Sequence, residues 1–243
     1  MEKVDLGKAL SRKEILSVSK PARYMGKEWN MISGREEAEI SVVLAFPDLY
    51  EIGMSHLGLK ILYHILNSLP GVRAERAFVP WPDMGRMMKE KNIPLYSLEN
   101  KIPLRDFEVI GISLQHELNY TNVLYLLDLA GIPLRSEERG EDFPLVLGGG
   151  PCVFNPEPIS SFFDVFLLGE GEEALVEIVE VLKAMKNEGR EKVLAELSKI
   201  EGCYVPSLYS VSYYPDGKIK NISPSRVVKK RWVKDLDSAS YPQ

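Results

Sequence analysis

Only two cysteines, Cys152 and Cys203, occur in 243 residues, and they stand far apart. Neither a disulfide framework nor a cysteine-rich metal site is encoded by such a pair. Histidine is as scarce, with three residues, and none has acidic or cysteine companions at ligand spacing. No metal ligand set and no catalytic residue is therefore assigned. No apolar run approaches the ~20 residues that span a bilayer, so no membrane partner is expected. The opening MEKVDLGKAL is too polar for a signal peptide, and a cytoplasmic location is the expectation. Internal repeats and low-complexity tracts are missing as well. The loop after the first strand lacks a Gly-x-Gly-x-x-Gly pattern, which counts against dinucleotide binding. A net charge of −5 argues against a whole-surface nucleic-acid binder.

What is present is an alternation of buried strands and amphipathic helices. The run ISVVLAF at 40–46 is continuously apolar and β-branched, as a parallel strand covered on both faces should be. A helix follows over 53–70, with Ser55 as its expected N-cap and Pro70-Gly71 as its stop. A short strand is read at 76–79, a helix at 82–93 and a minor strand at 95–97. A third strong strand at 108–114 leads into a helix over 119–130. Strands at 144–147 and 164–168 precede a helix over 172–186. Strands alternating with helices imply right-handed crossovers and a sheet covered on both faces. The expected fold is therefore a flavodoxin-like or Rossmann-like doubly wound α/β sheet of order 2-1-3-4-5. Around it, residues 1–38 form an N-terminal arm with one short helix at 12–19, and 39–200 form the α/β domain. Residues 201–225 form a C-terminal antiparallel hairpin, with strands 208–214 and 218–222 joined at Pro215-Asp216-Gly217. Residues 226–243 read as a linker. Within it, RVVKKRWVK carries Trp232 among its charges and suits either a nucleic-acid backbone or a segment packed on a following domain. The linker reading is preferred, and a nucleic-acid partner stays open.

The site is expected where loops converge at the carboxyl edge of the sheet, astride the switch point between the first and third strands. The first strand is followed by Asp48, Tyr50 and Gly53, the third by Ser113 and Gln115, and the fourth by Gly148, Gly149, Gly150 and Pro151. Three successive glycines remove every Cβ where the chain leaves a strand, so a flat or phosphate-bearing ligand can approach the backbone. Alternatively they make a tight turn needing positive φ. Asp48 could contact a cofactor or bond nearby N–H groups, while Tyr50 could contact it or pack under the helix start. Gly169 and Glu170, in GEGEE, either touch a ligand or partner or shape a turn whose acidic groups favour a helix N-terminus. His56 and His116 could face the same cleft. Cys152 is read as a small buried hydrophobe rather than a reactive thiol.

These residues also carry a family resemblance. Asp-x-x-x-x-Gly after strand one, Ser-Leu after strand three and Gly-Gly after strand four resemble a cobalamin-binding domain. The segments GGGP, NPEP and DVFLLGEGEEAL are similar to N-terminal domains of cobalamin-type radical S-adenosylmethionine enzymes. KPARYMGKEWN, FPDLYEIGMSHLGLKILY, ISLQHELNYTNVLYLLDLAGIPL and KDLDSASYP extend that likeness across most of the chain. The resemblance implies cobalamin as cofactor, with Asp48, Tyr50, Gly53, Ser113, Gln115, Gly148, Gly149, Gly150, Pro151, Gly169 and Glu170 as its contacts. In the family the lower cobalt ligand is a histidine; here its position is Tyr50, which has no imidazole nitrogen to give. The family's four-iron cluster needs three cysteines at CxxxCxxC spacing, and this chain has none. The resemblance therefore implies that a 4Fe-4S cluster and S-adenosylmethionine belong to a barrel domain beyond residue 243, the expected partner within one polypeptide. Two functions stay open: a non-catalytic domain that presents a corrinoid to that barrel, and a vestigial module of the same fold serving as an interaction or substrate-gating surface. An independent nucleotide- or flavin-binding protein is a weaker third.

Overall fold

A computed structural model describes residues 3–32 and 37–242. Residues 1, 2, 33–36 and 243, which fall in the expected arm and tail, lie outside the described residues. Among the described residues the chain builds a six-stranded sheet of order β2-β1-β3-β4-β5-β6, beside a two-stranded sheet β7-β8. The strands are β1 (Ile40–Phe46), β2 (Val72–Phe78), β3 (Val109–Ser113), β4 (Leu145–Gly149), β5 (Val165–Leu167) and β6 (Cys203–Tyr204), with β7 (Ser210–Tyr213) and β8 (Ile219–Ser223) in the hairpin. The first five pair in parallel, in the order expected. The sixth pairs antiparallel with β5, through Phe166 opposite Tyr204. A two-residue strand carries too little periodicity to be seen in sequence.

The helices are α1 (Leu6–Ala9), α2 (Arg12–Ser17), α3 (Tyr50–Ser55), α4 (Leu57–Ser68), α5 (Pro82–Glu90), α6 (Tyr120–Leu129), α7 (Gly171–Ala184) and α8 (Arg190–Leu197). Because side chains alternate across a strand, the sheet buries two separate apolar faces. Val43, Ala45, Ile110, Ile112 and Val146 pack under α5, α6 and the arm, whose Leu10, Val18 and Tyr24 are buried there. Val42, Leu44, Leu147, Val165 and Leu167 pack under α4, α7 and α8. The polar-looking arm is thus part of the core, held by three well-spaced apolar side chains.

Several local expectations need correction. The helix read over 53–70 is two helices broken at His56, whose backbone is extended. Its Nδ1 accepts from Leu59 N–H at 3.1 Å, so His56, not Ser55, caps α4. The Ser55 hydroxyl instead donates back to the Ile52 carbonyl. Strand β2 starts four residues earlier than expected, because its charged pattern VRAERAF hides a strand that is buried throughout. Segment 95–104 covers that strand: Leu98 N–H donates to the Arg76 carbonyl, Glu99 accepts from Arg76 Nε, and Glu75 accepts from Ser97 and Asn100. Such covering protects an otherwise free sheet edge. In place of a strand at 95–97 there is one isolated bridge, Tyr96 to Pro103. Helix α8, left unassigned by periodicity, buries Val193, Leu194 and Leu197.

Candidate functional site

The carboxyl ends of β1, β3, β4 and β5 open into one cleft of ≈ 220 Å³ on the face covered by α4 and α7. Its floor is made by small residues on neighbouring strands. Gly111 lies opposite Leu44 on one side and Leu147 on the other, and Ser113 lies opposite Gly149. Alternation along the strands puts Gly111, Ser113 and Gly149 on the same sheet face, where they form a trough between the larger Leu44, Leu147 and Leu167. A Cβ added at Gly149 would meet nothing within 4 Å, so this glycine leaves space open. Helix residues Gly58 and Leu62 from α4, and Gly171 and Leu175 from α7, complete walls that are mainly apolar. Polar groups stand at the mouth: His56, Gln115, Glu170 and Glu172.

Of the residues singled out in sequence, His56, Ser113, Gln115, Gly149, Gly150, Gly169 and Glu170 line this cleft. The others serve the surroundings. Asp48 Oδ1 accepts from Leu49 N–H and its Oδ2 from Asn119 Nδ2, closing its loop against the start of α6. Tyr50 opens α3, sets its ring edge-on to Phe78, and donates its hydroxyl to Glu28 at 3.0 Å. Gly53 is a packing glycine, since a Cβ there would collide with the Phe78 ring. At Gly148 a Cβ would stand 2.7 Å from the Phe166 ring, which fixes that residue as the tight point between strands. Pro151 opens a short 3₁₀ turn outside the cleft. The three glycines thus have three different jobs. Gly148 admits a ring, Gly149 leaves the floor open, and Gly150, at φ +104°, makes the turn that brings Cys152 N–H to the Leu114 carbonyl.

Gly169 and Glu170 are shared with the C-terminal segment. Gly169, at φ +113°, bridges Arg231 in parallel, and its Cβ position is filled by the Arg231 backbone. Arg231 N–H donates to the Leu168 carbonyl at 2.9 Å, and Glu170 accepts from Val233 N–H. The Arg231 guanidinium reaches Glu173 at 2.8 Å and Glu177 at 2.7 Å on α7. Lys230 lies 3.5 Å over the Trp232 ring. The basic run at 226–234 is therefore engaged at its centre with the rim of the cleft.

Gly58, Gly111, Gly171, Glu172 and the leucines of the walls were missed as site residues, whereas His56, expected near the cleft, does line it. Gly111 carried a usable signal, because a glycine inside an otherwise apolar strand marks a close approach. The histidines do not form a metal centre. His56 Nδ1 accepts a backbone hydrogen bond, so the neutral ring carries its proton on Nε2 and offers a donor, not a lone pair. His116 Nδ1 does the same for Leu118 N–H at 3.2 Å on an exposed turn. Among the described residues no three His, Cys, Asp or Glu side chains gather as a metal site. Both cysteines are buried; burial raises the Cys152 thiol above its ordinary range and pushes Cys203 up to about 12. Neither is placed to hold an iron–sulfur cluster or to act as a nucleophile. Among the described residues no helix is long and apolar enough to cross a membrane.

The fold is a mainly parallel α/β sheet with a cleft at its switch point, the place where ligands bind in open sheets of this kind. The chain belongs to the family described as radical SAM proteins, N-terminal, which it matches over residues 58–206. It is 26% identical over 176 residues to the uncharacterized protein MJ0966 of Methanocaldococcus jannaschii. That match covers 72% of this chain and 34% of the relative, so the chain spans about a third of the length of the protein it matches. No solved structure matches.

Proposed function

We propose that this chain is the cofactor-presenting domain of a radical S-adenosylmethionine enzyme, and that its cleft takes the nucleotide tail of a corrinoid. The observation that supports this is the trough of Gly111, Ser113 and Gly149, an apolar slot with one hydroxyl and an unfilled Cβ position. Such a slot suits a flat heteroaromatic group that needs one hydrogen bond. Ser113 and Gln115 would meet the polar edge of the tail, and His56 Nε2–H would donate to an oxygen at the mouth. Neither Tyr50, tied to Glu28, nor His56 Nδ1, spent on α4, would serve as a cobalt ligand. A bound corrinoid would supply methyl-transfer or radical chemistry; the chain's own residues would hold it and exclude water. The four-iron cluster and S-adenosylmethionine are assigned to a barrel domain of the same polypeptide, because two buried cysteines cannot hold the cluster. On this reading the chain alone catalyses nothing.

The second reading is an interaction or substrate-gating module that keeps the fold without the corrinoid. The engagement of Gly169 and Glu170 by residues 231–233 favours it, because two cofactor-contact positions are occupied by the chain itself. Hydroxocobalamin titration, read by the visible spectrum and by retention on a desalting column, separates the two. The first reading expects stoichiometric retention by the native chain and loss by Gly149→Leu, whose side chain fills the slot. No retention by the folded native chain would leave the interaction module as the reading.

A further inference from the structure

On the far side of α4 from the cleft lies a second cavity, of ≈ 550 Å³, walled by Asn30, Lys60, Tyr63, His64, Arg76 and residues 239–242. Its chemistry is one-sided. Lys60 and His64 stand four residues apart on α4 and so share one helix face. No carboxylate lines the cavity among the described residues. Arg76, from the sheet edge, is only 1% exposed yet borders the same space.

Arg76 is the informative residue. Its Nε donates to Glu99 at 2.7 Å, its Nη1 reaches the Met54 sulfur at 3.4 Å, and its guanidinium sits 4.3 Å from the centre of the Tyr63 ring. Its Nη2 has no partner. A buried guanidinium nitrogen is rarely left unpaired, and a water or ion bound there is one explanation for such a group. Glu99 offsets the charge of Arg76, so the surplus positive charge of the cavity comes from Lys60, and His64 adds a ring nitrogen beside it. Burial, with Glu99 a smaller contributor, pushes the Tyr63 phenol up to about 12, so that ring adds no negative charge. Its oxygen already accepts from Ile32 N–H at 2.9 Å.

We propose that this cavity is a binding site for a small organic oxyanion, a phosphate ester or a carboxylate. The oxyanion pairs with Lys60 and His64 at the rim and takes the Nη2–H of Arg76 at the bottom, which is closed to solvent and is reached by a small shift of the side chain. A planar guanidinium with an open edge matches either oxyanion, and the volume admits a molecule larger than a bare ion. The site is separate from the cleft and does not depend on a corrinoid.

The test is calorimetric titration of the full chain in phosphate-free buffer, with pyrophosphate in one arm and citrate in the other. Saturable binding is expected in at least one arm, and the stronger arm identifies phosphate or carboxylate as the preferred group. Lys60→Ala/His64→Ala alters only the α4 surface and should weaken binding by about tenfold or more, because it removes the ammonium and a ring donor from the oxyanion. Arg76→Lys, checked for folding by circular dichroism, should weaken it further. Amide shifts confined to Asn30, residues 60–64 and the 239–242 strap would locate the ligand. Absence of saturable binding in both arms in the millimolar range would overturn the proposal. So would binding that the α4 double variant leaves unchanged.

Discussion

Three adjacent glycines should respond to alanine in three different ways, and the differences follow from the geometry. At Gly150 the backbone lies at φ +104° and ψ −178°, a region that L side chains rarely occupy. Holding alanine there costs about 1–3 kcal/mol. The added Cβ would also stand 2.7 Å from the Leu114 oxygen, a backbone atom that cannot swing away. At Gly148 the backbone is an ordinary strand, but Cβ would sit 2.7 Å from Phe166 and 3.1 Å from Phe163. Overpacking of that kind costs roughly 1–3 kcal/mol. At Gly149 nothing lies within 4 Å and φ is outside the left-handed region. Alanine there should stabilise by about 0.4–1 kcal/mol, by narrowing the unfolded ensemble. For a domain of this size each kcal/mol moves Tm by roughly 2–4 °C. Gly150→Ala and Gly148→Ala should therefore melt roughly 2–12 °C below the native chain, and Gly149→Ala at or slightly above it. Urea midpoints measured by circular dichroism should follow the same order. Equal losses at 149 and 150, or the largest loss at 149, would refute this account of the loop and the open floor of the cleft.

Arg231→Met removes the pairs with Glu173 and Glu177, both about half exposed and together worth about 1 kcal/mol. It should speed amide exchange at Arg231 and Glu170 about fivefold while leaving Tm nearly unchanged; unaltered exchange would mean that the backbone bridge alone holds the segment. Acid should loosen the N-terminal arm. Bonds from Lys20 and then Arg23 lower the Glu51 carboxyl from 4.5 to about 2. A carboxyl lowered by folding lends stability above its unfolded value, and that stability is lost as pH falls from about 4.5 toward about 2. Protease sensitivity within residues 3–32 should rise across that window ahead of global unfolding, and Glu51→Gln should already show it at neutral pH. A flat cleavage profile would assign the docking of the arm to its buried side chains and to its contacts other than Glu51, among them Ser19 N–H to Asp83 and Glu14 to Lys91.

The apolar runs at β1, β3 and β4, the glycine-rich exit at 148–150 and the helix patterns of α6 and α7 were legible because each states its period or its breaker within ten residues. They determined the parallel sheet, its order and the edge at which a cleft opens. Strand β2 was half hidden, since Glu75 and Arg76 look solvent-facing until segment 95–104 supplies Glu99, Ser97 and Asn100 to cover them. The break at His56 was hidden too, because a histidine acting as N-cap has no local signature beside the better-known Ser55. Asp48 and Tyr50 could be named as candidates from spacing, yet their duties came from Asn119 and Glu28, 71 and 22 residues away. Gly169 and Glu170 read alike as ligand or turn residues until Arg231 arrived from 62 residues downstream. Sequence alone thus determined which elements form and where their ends converge, because hydrophobic period and backbone restriction act locally. Which glycine stays open and which arginine nitrogen is left without a partner were decided by tertiary structure. Those outcomes depend on which atoms distant segments bring close, and no local pattern encodes them.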